Sequence, residues 1–376
     1  MALDETDEEN CKIIGTTSPL DHNLPPPVRT NLTAVSVNIG LRSIIQIDEI
    51  GMTFSAKFIL WNTWHDWRVS AYDLNEDINL LNEMEMSLIW IPNLLFENGL
   101  DDDNGLTTQF GQSKTLALYP DKNQANEFQY MDSLDEGRLF VNPSMLYSSL
   151  FIRQFHCDFN LHDYPFDRQV CQIKVSLPWA LQDFIELTPG KANKNTPDFF
   201  SHYNIINISM LPFNSVVKVG ESTSGMMFQI ELQRDISHQI YMTYVPTLFI
   251  LIMTLTLLFI TEEHFGATTA VSMTCMLVLY TLYQSIAANM PITVYMKLLD
   301  YWLIFNLVMP FLVFLTLVSW ELMRDKPNQV MNLDEDESWQ RKKKYCKLTM
   351  QIILPSISAV FVLFYILAVL YVIFKD

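Results

Sequence analysis

The chain is predicted to fold as two unlike halves: an extracellular all-β immunoglobulin-like sandwich, then an all-α bundle of four transmembrane helices. Three observations carry this expectation. Four stretches beyond residue 238 (239–261, 264–296, 301–320 and 348–374) contain no Asp, Glu, Lys or Arg. Before them, short apolar or alternating runs are divided by turn-forming residues. Among those runs, Cys157 and Cys171 stand with thirteen residues between them.

The elements follow in order. Residues 1–29 are an acidic, proline-rich segment, and 30–238 carry the sandwich. Its strand-like runs include TAVSVNIGLRSIIQI (33–47), TFSAKFILWNTW (53–64), SLIWI (87–91), SLFIRQF (149–155), CQIKVSL (171–177) and MFQIEL (227–232). Clusters such as PDKN (120–123), LTPGKANKNTPD (187–198) and GESTSG (220–225) punctuate them, as in a sandwich of many short strands. The acidic stretch 100–137 takes no assignment. Cys157 and Cys171, flanked by strand-like runs outside the membrane, are expected to form a disulfide.

Each uncharged stretch is long enough to cross a hydrocarbon core of about 30 Å, which needs about 20 helical residues. Helices one to three fall within 239–322, a short cytoplasmic loop within 323–347, and the fourth helix with an extracellular C-terminus within 348–376. Arg324, Lys326, the run Arg341 to Lys344, and Lys347 place that loop in the cytoplasm, because basic residues beside spans favour that side. Both termini then lie outside. The sequons at Asn31 and Asn207 agree, both preceding the first span. No secretory signal follows Met1, so a mature form of the chain is expected.

The net charge of −18 attracts cations and repels nucleic acid, which excludes nucleic acid as a partner; the same charges also serve solubility. Within the second hydrophobic stretch, Ala270, Thr274, Leu277, Thr281, Gln284 and Ala288 are spaced 4, 3, 4, 3, 4 and share one helical face. Small and polar residues on that face suit a wet path, with Leu277 as a constriction that closes by dewetting. The competing explanation is hydrogen bonding to neighbouring helices.

Together these motifs resemble the Cys-loop receptors, the pentameric ligand-gated ion channels of animals. The disulfide loop CDFNLHDYPFDRQVC (157–171) resembles the family's signature. Trp64-His65-Asp66 lies on an early strand, and Trp90-Ile91-Pro92-Asn93 resembles a Trp-x-Pro-Asp motif with Asn in place of Asp. Arg234 precedes the first span, which carries Pro246 in TYVPTLF (243–249). The resemblance implies a homopentamer around a central pore in the plasma membrane. Each chain would then meet four further subunits, membrane lipid, a small-molecule agonist and permeant ions, with no cofactor or metal. The family's pore leucine falls on Leu277.

The resemblance also assigns ligand contacts to Trp61, Phe96, Glu97, Trp179, Tyr203 and Phe228, a box suited to amines because ring faces attract cations. Trp64 and Trp90 belong to the core. Coupling to the pore is assigned to Asp48 and Glu49, to Tyr164, Pro165, Phe166 and Asp167, to Arg234, and to the pore-helix exit from Pro291 to Tyr295. A partly buried Glu49–Arg234 ion pair is expected. Thr268 stands where members carry a basic residue, and Ala267 where cation-selective members carry Glu. The acidic outer domain with Glu262 and Glu263 favours cations, while Gly266-Ala267 partly matches anion-selective members. His156 and His162 flank the disulfide turn, where packing or hydrogen bonding is their ordinary role; proton sensing by them is a variant of the same reading.

Enzyme motifs are missing from the sequence, with no HExxH, GxSxG or glycine-rich phosphate loop, so the chain is expected not to be an enzyme. A non-conducting four-span adhesion or scaffold protein is the rival class, and the polar stripe argues against it.

Overall fold

The computed structural model describes residues 24–26, 32–72, 78–100, 112–119, 139–194, 199–200, 202–218, 221–260, 264–288, 290, 293–324 and 333–374. Asn31, Glu262, Glu263 and Pro291 lie outside them.

Strands β1 (Thr33–Asp48) and β2 (Thr53–His65) form the first hairpin. Short strands follow: β3 (Ser70–Tyr72), β4 (Asn79–Leu80), β5 (Leu95–Phe96), β6 (Gln112–Tyr119) and β7 (Leu139–Val141). Strands β8 (Ser144–His156) and β9 (Arg168–Ser176) flank the disulfide loop. After β10 (Ile185–Lys194) and β11 (Phe199–Phe200), the hairpin of β12 (Tyr203–Lys218) and β13 (Glu221–Arg234) leads into the membrane half. One sheet runs β10-β1-β2-β8-β6-β4, the other β11-β12-β13-β9-β5. The Cys157–Cys171 disulfide ties the end of β8 to β9, and so one sheet to the other.

Two expectations change. SLIWI is not a strand, because Asn82 caps a helical turn at Glu83–Ser87: its side chain accepts from Glu85, whose carboxylate accepts from the Asn82 N–H. Within 100–137, residues 112–119 form β6, which the surrounding acidic and glycine-rich sequence hides.

Alternation of side chains across each strand builds the core. On β2, Phe54, Ala56, Phe58 and Leu60 point inward, and on β8 Phe151 and Phe155 face them. Phe58 stacks on Phe151 with ring centroids 5.5 Å apart, while Phe96 meets both Phe58 and Phe151 edge-on. Trp64 and Trp90 pack edge-to-face at 6.2 Å, both buried as expected. Beside them Asp66, fully buried, holds Arg68 through bonds of 2.9 and 2.7 Å.

Among the described residues, four helices are long and apolar enough to cross a membrane: Ser237–Phe259, Phe265–Ala288, Leu298–Leu322 and Lys347–Phe374. The first contains a π-turn at Ile240–Tyr244 immediately before Val245 and Pro246. Proline has no N–H to give the preceding turn, and a widened turn accommodates that loss. In the third, Pro310 lies within the helix, and the Ser272 hydroxyl of the second donates to its carbonyl at 3.1 Å. An aromatic cluster of Tyr244, Trp302, Phe361 and Tyr365 joins the first, third and fourth spans, with the two tyrosine hydroxyls 2.7 Å apart.

Phe58 touches three other core rings and is fully buried, so Phe58→Ala should destabilise the outer domain by about 3–5 kcal/mol. Denaturant unfolding of the purified chain, followed by tryptophan fluorescence, measures this; a loss below 1 kcal/mol (on the order of a surface substitution) would refute it.

Candidate functional site

Strand parity explains the site. Phe228, Ile230 and Leu232 take the inner face of β13, and Arg234, next in the alternation, is buried with them although charged. Tyr203 pairs directly with Arg234 across β12 and therefore lies on the same face. On β9 the inner positions Cys171 and Gln169 lead by the same period to Asp167, also buried. An arginine and an aspartate thus meet at the membrane end of the sandwich.

Arg234 Nε donates to Asp167 Oδ1 at 2.8 Å and Nη2 to Oδ2 at 3.1 Å, while Nη1 donates to Glu49 Oε1 at 2.7 Å. Tyr203 accepts from Nη2 and donates to Glu49 at 3.0 Å. The rings of Tyr164 and Tyr203 lie 4.5 and 4.7 Å from the guanidinium carbon. Gln169 donates to Asp167 as well. Burial opposes the Arg234 charge, but the bonds it donates to Asp167 and Glu49 outweigh it, and the pKa rises above the usual arginine range. Burial also pushes the Tyr164 phenol up to about 12 and the Tyr203 phenol higher, so both stay neutral and keep their protons. The expected Glu49–Arg234 pair is present, with Asp167 as its more buried second acid.

The disulfide loop docks on the membrane half. The first turn of a helix leaves N–H groups without intrahelical partners. At the third span these are Leu298, which donates to the His162 carbonyl at 2.9 Å, and Leu299, which donates to that of Tyr164 at 3.2 Å. Tyr295 accepts from the Leu161 N–H at 3.1 Å and stacks on His162 at 3.7 Å. Toward the first span, Gln239 donates to the Tyr164 hydroxyl at 2.8 Å, and Phe166 lies 6.3 Å from Tyr244. The Tyr164–Pro165 bond at the loop tip is cis. Asp48 has a local role: Oδ1 accepts from Ile50 and Gly51, shaping the β1–β2 turn.

The residues assigned to the ligand box separate. Phe228 is fully buried in the core, Phe96 packs among Phe58, Phe151 and Phe155, and Tyr203 belongs to the Arg234 cluster. None of the three reaches a surface where a ligand between chains would sit. Trp179, in the turn after β9, is half exposed, and Glu97 is exposed. Trp61 lines an open concavity of about 280 Å³ with Gly40, Arg42, Ile59, Leu146 and Ser148. Its indole lies so close over Gly40 that a Cβ there would come within 2.8 Å of the ring. Arg42 is exposed in that concavity and has no ion-pair partner among the described residues. It was not singled out from sequence, where a lone arginine on a strand gives no signal until register places it beside Trp61.

On the second span, Ala270, Thr274, Leu277, Thr281, Gln284 and Ala288 are all exposed. The opposite stripe of Thr268, Ser272, Cys275 and Leu279 is buried. Thr268 bonds back to the carbonyls of His264 and Phe265, on the face away from the polar stripe.

The family model of the neurotransmitter-gated ion-channel ligand binding domain matches residues 16–236. The chain belongs to this family, that of the Cys-loop receptors. It is 24% identical over 273 residues to the glutamate-gated chloride channel of Drosophila melanogaster, covering 71% of this chain and 54% of that one. It is 22% identical over 299 residues to the gamma-aminobutyric acid receptor subunit beta of Lymnaea stagnalis, covering 74% and 53%. With subunit beta-4 of the same receptor type from Gallus gallus the identity is 24% over 303 residues, covering 78% and 56%. The chain thus spans about half the length of the curated relatives it matches.

Arg234→Gln leaves Asp167 buried without its cation, which should lower stability by about 3–5 kcal/mol. Adding Asp167→Asn removes the uncompensated charge and should recover a substantial part of the loss. Thermal unfolding of the single and double variants, together with surface expression, reads this; additive losses would show that the pair is not coupled.

Proposed function

We propose that the chain is a subunit of a ligand-gated ion channel in the plasma membrane, five subunits surrounding a pore lined by the second span. The observation that carries this reading is the direct hydrogen bonding of the disulfide loop to the start of the third span, beside the exit of a helix with an exposed polar stripe. Ligand binding between outer domains would shift the sandwich, and the Arg234 cluster would pass that movement through Tyr164 and Tyr295 to the pore helix. Leu277 is the constriction. No catalytic step is required of any residue.

The concavity beside Trp61 supports a refined ligand class. Arg42 suits a carboxylate, since its guanidinium forms paired bonds to such groups, and the Trp61 face suits an ammonium. The relatives are named for glutamate and gamma-aminobutyric acid, which carry both groups. Amino-acid agonists therefore fit this chain better than simple amines. Arg42→Gln should raise the half-maximal agonist concentration at least about tenfold, as expected when a charged hydrogen bond of about 1.5–3 kcal/mol is lost. Gly40→Ala, which displaces the indole, should act in the same direction. Concentration–response curves in cells expressing the chain measure both; unchanged curves for Arg42→Gln would exclude the arginine from the site.

For the permeant ion, the acidic outer domain favours cations by raising their local concentration. Chloride is the second reading, favoured by the name of the fly relative. Reversal potentials under sodium and chloride replacement separate them, and a reversal that follows chloride alone defeats the cation reading. Leu277→Ser, which wets the constriction, should give current without agonist; silence in every condition would support the non-conducting rival.

A further inference from the structure

Where the sandwich meets the spans, a cavity of about 510 Å³ lies within the size range of small-molecule sites. Its lining has two characters. Asp235, His202 and His238 form a polar rim, while Met242, Leu282, Ile286 and Met290 supply an apolar floor from the first two spans and the pore-helix exit. Glu49 and Arg234 also reach the cavity but satisfy each other. Asp235 differs from them. It is exposed and has no lysine or arginine partner among the described residues; its Oδ1 accepts from the Ser237 N–H at 3.0 Å. Hydrogen bonds from Ser237 hold its carboxyl below the ordinary range, so it is charged at neutral pH. The rings of His202 and His238 lie 5.6 Å apart beside it. Among the described residues, no group of three or more His, Cys, Asp or Glu is placed to hold a metal ion. The complement to a carboxylate with no lysine or arginine partner, over an apolar floor, is an organic cation with a tail.

We propose that this cavity binds an amphiphilic ammonium ion, its head against Asp235 and its tail along Met242, Leu282, Ile286 and Met290. The site lies beside the first residues of the first span, at the depth where an amphiphile collects between water and lipid. Gln239, also in the lining, donates to the Tyr164 hydroxyl, so an occupant there touches the disulfide loop and is placed to modulate it.

The test uses the full chain in lipid nanodiscs with Met242→Cys, which puts a thiol on the cavity wall. Labelling by trimethylammonioethyl methanethiosulfonate is compared with labelling by its neutral methyl analogue, both corrected for the native cysteines of the wild type. The cationic reagent should be favoured, and adding Asp235→Asn should reduce that preference about fivefold, as for loss of one attractive charge at contact range. Octyltrimethylammonium should slow the labelling, and octyl sulfate should not. Ser285→Cys, on the same cavity lining, serves if Met242→Cys does not assemble. Equal protection by both amphiphiles, a preference unaffected by Asp235→Asn, or a thiol inaccessible to both reagents would each overturn the proposal. None of these readouts depends on conduction.

Discussion

The structure turns on the burial of one positive charge. Arg234 occupies the inner face of β13 because the strand's alternation places it there, and a buried guanidinium is tolerable only when its donors are satisfied. Its partners come from three separate parts of the chain: Glu49 from the first hairpin, Asp167 from the disulfide loop, Tyr203 from β12. Each segment would have other conformations open to it if the arginine faced water. With the charge buried, the positions of these segments are mutually fixed around the last residue of β13 before the membrane half.

This constraint reaches the spans through unpaired backbone rather than through further charges. The loop carbonyls of His162 and Tyr164 meet the N–H groups that the third span cannot satisfy for itself. A salt bridge at that position would weaken as ions gather around it, whereas these neutral bonds belong to the helix terminus itself. The Tyr295–His162 stack adds an aromatic contact on the same path. Phe166 beside Tyr244, and Tyr244 bonded to Tyr365, extend it to the fourth span.

Much of this was legible in the sequence because it is local. Uncharged stretches, a spacing of cysteines, a polar stripe at helical period and an arginine beside a span need no partner to be noticed. The ligand residues were less legible, since each depends on which way a side chain faces in a register not yet known. Phe228 is the exception: with Ile230 and Leu232 it shares the face opposite Gln229, Glu231 and Gln233, so counting by twos from Leu232 already places it in the core. Tyr203 was drawn to the ligand box by its ring, yet pairing with Arg234 decides its role. Arg42 beside Trp61, and the stacking of His162 on Tyr295, acquire meaning only from juxtaposition in space, which no local pattern displays.

Register therefore acts as the protein's alignment gauge. The pairing of β13 with β9 continues unbroken from Gln233, the neighbour of Arg234, back into the sandwich, where Ile230 lies opposite Cys171. The disulfide and the guanidinium are thus indexed to the same ladder, four residues apart along one strand. A single added residue between them would leave both sheets intact, yet turn the charge outward and leave Asp167 without its cation. The outer half would then remain a sound domain that had lost its phase with the membrane.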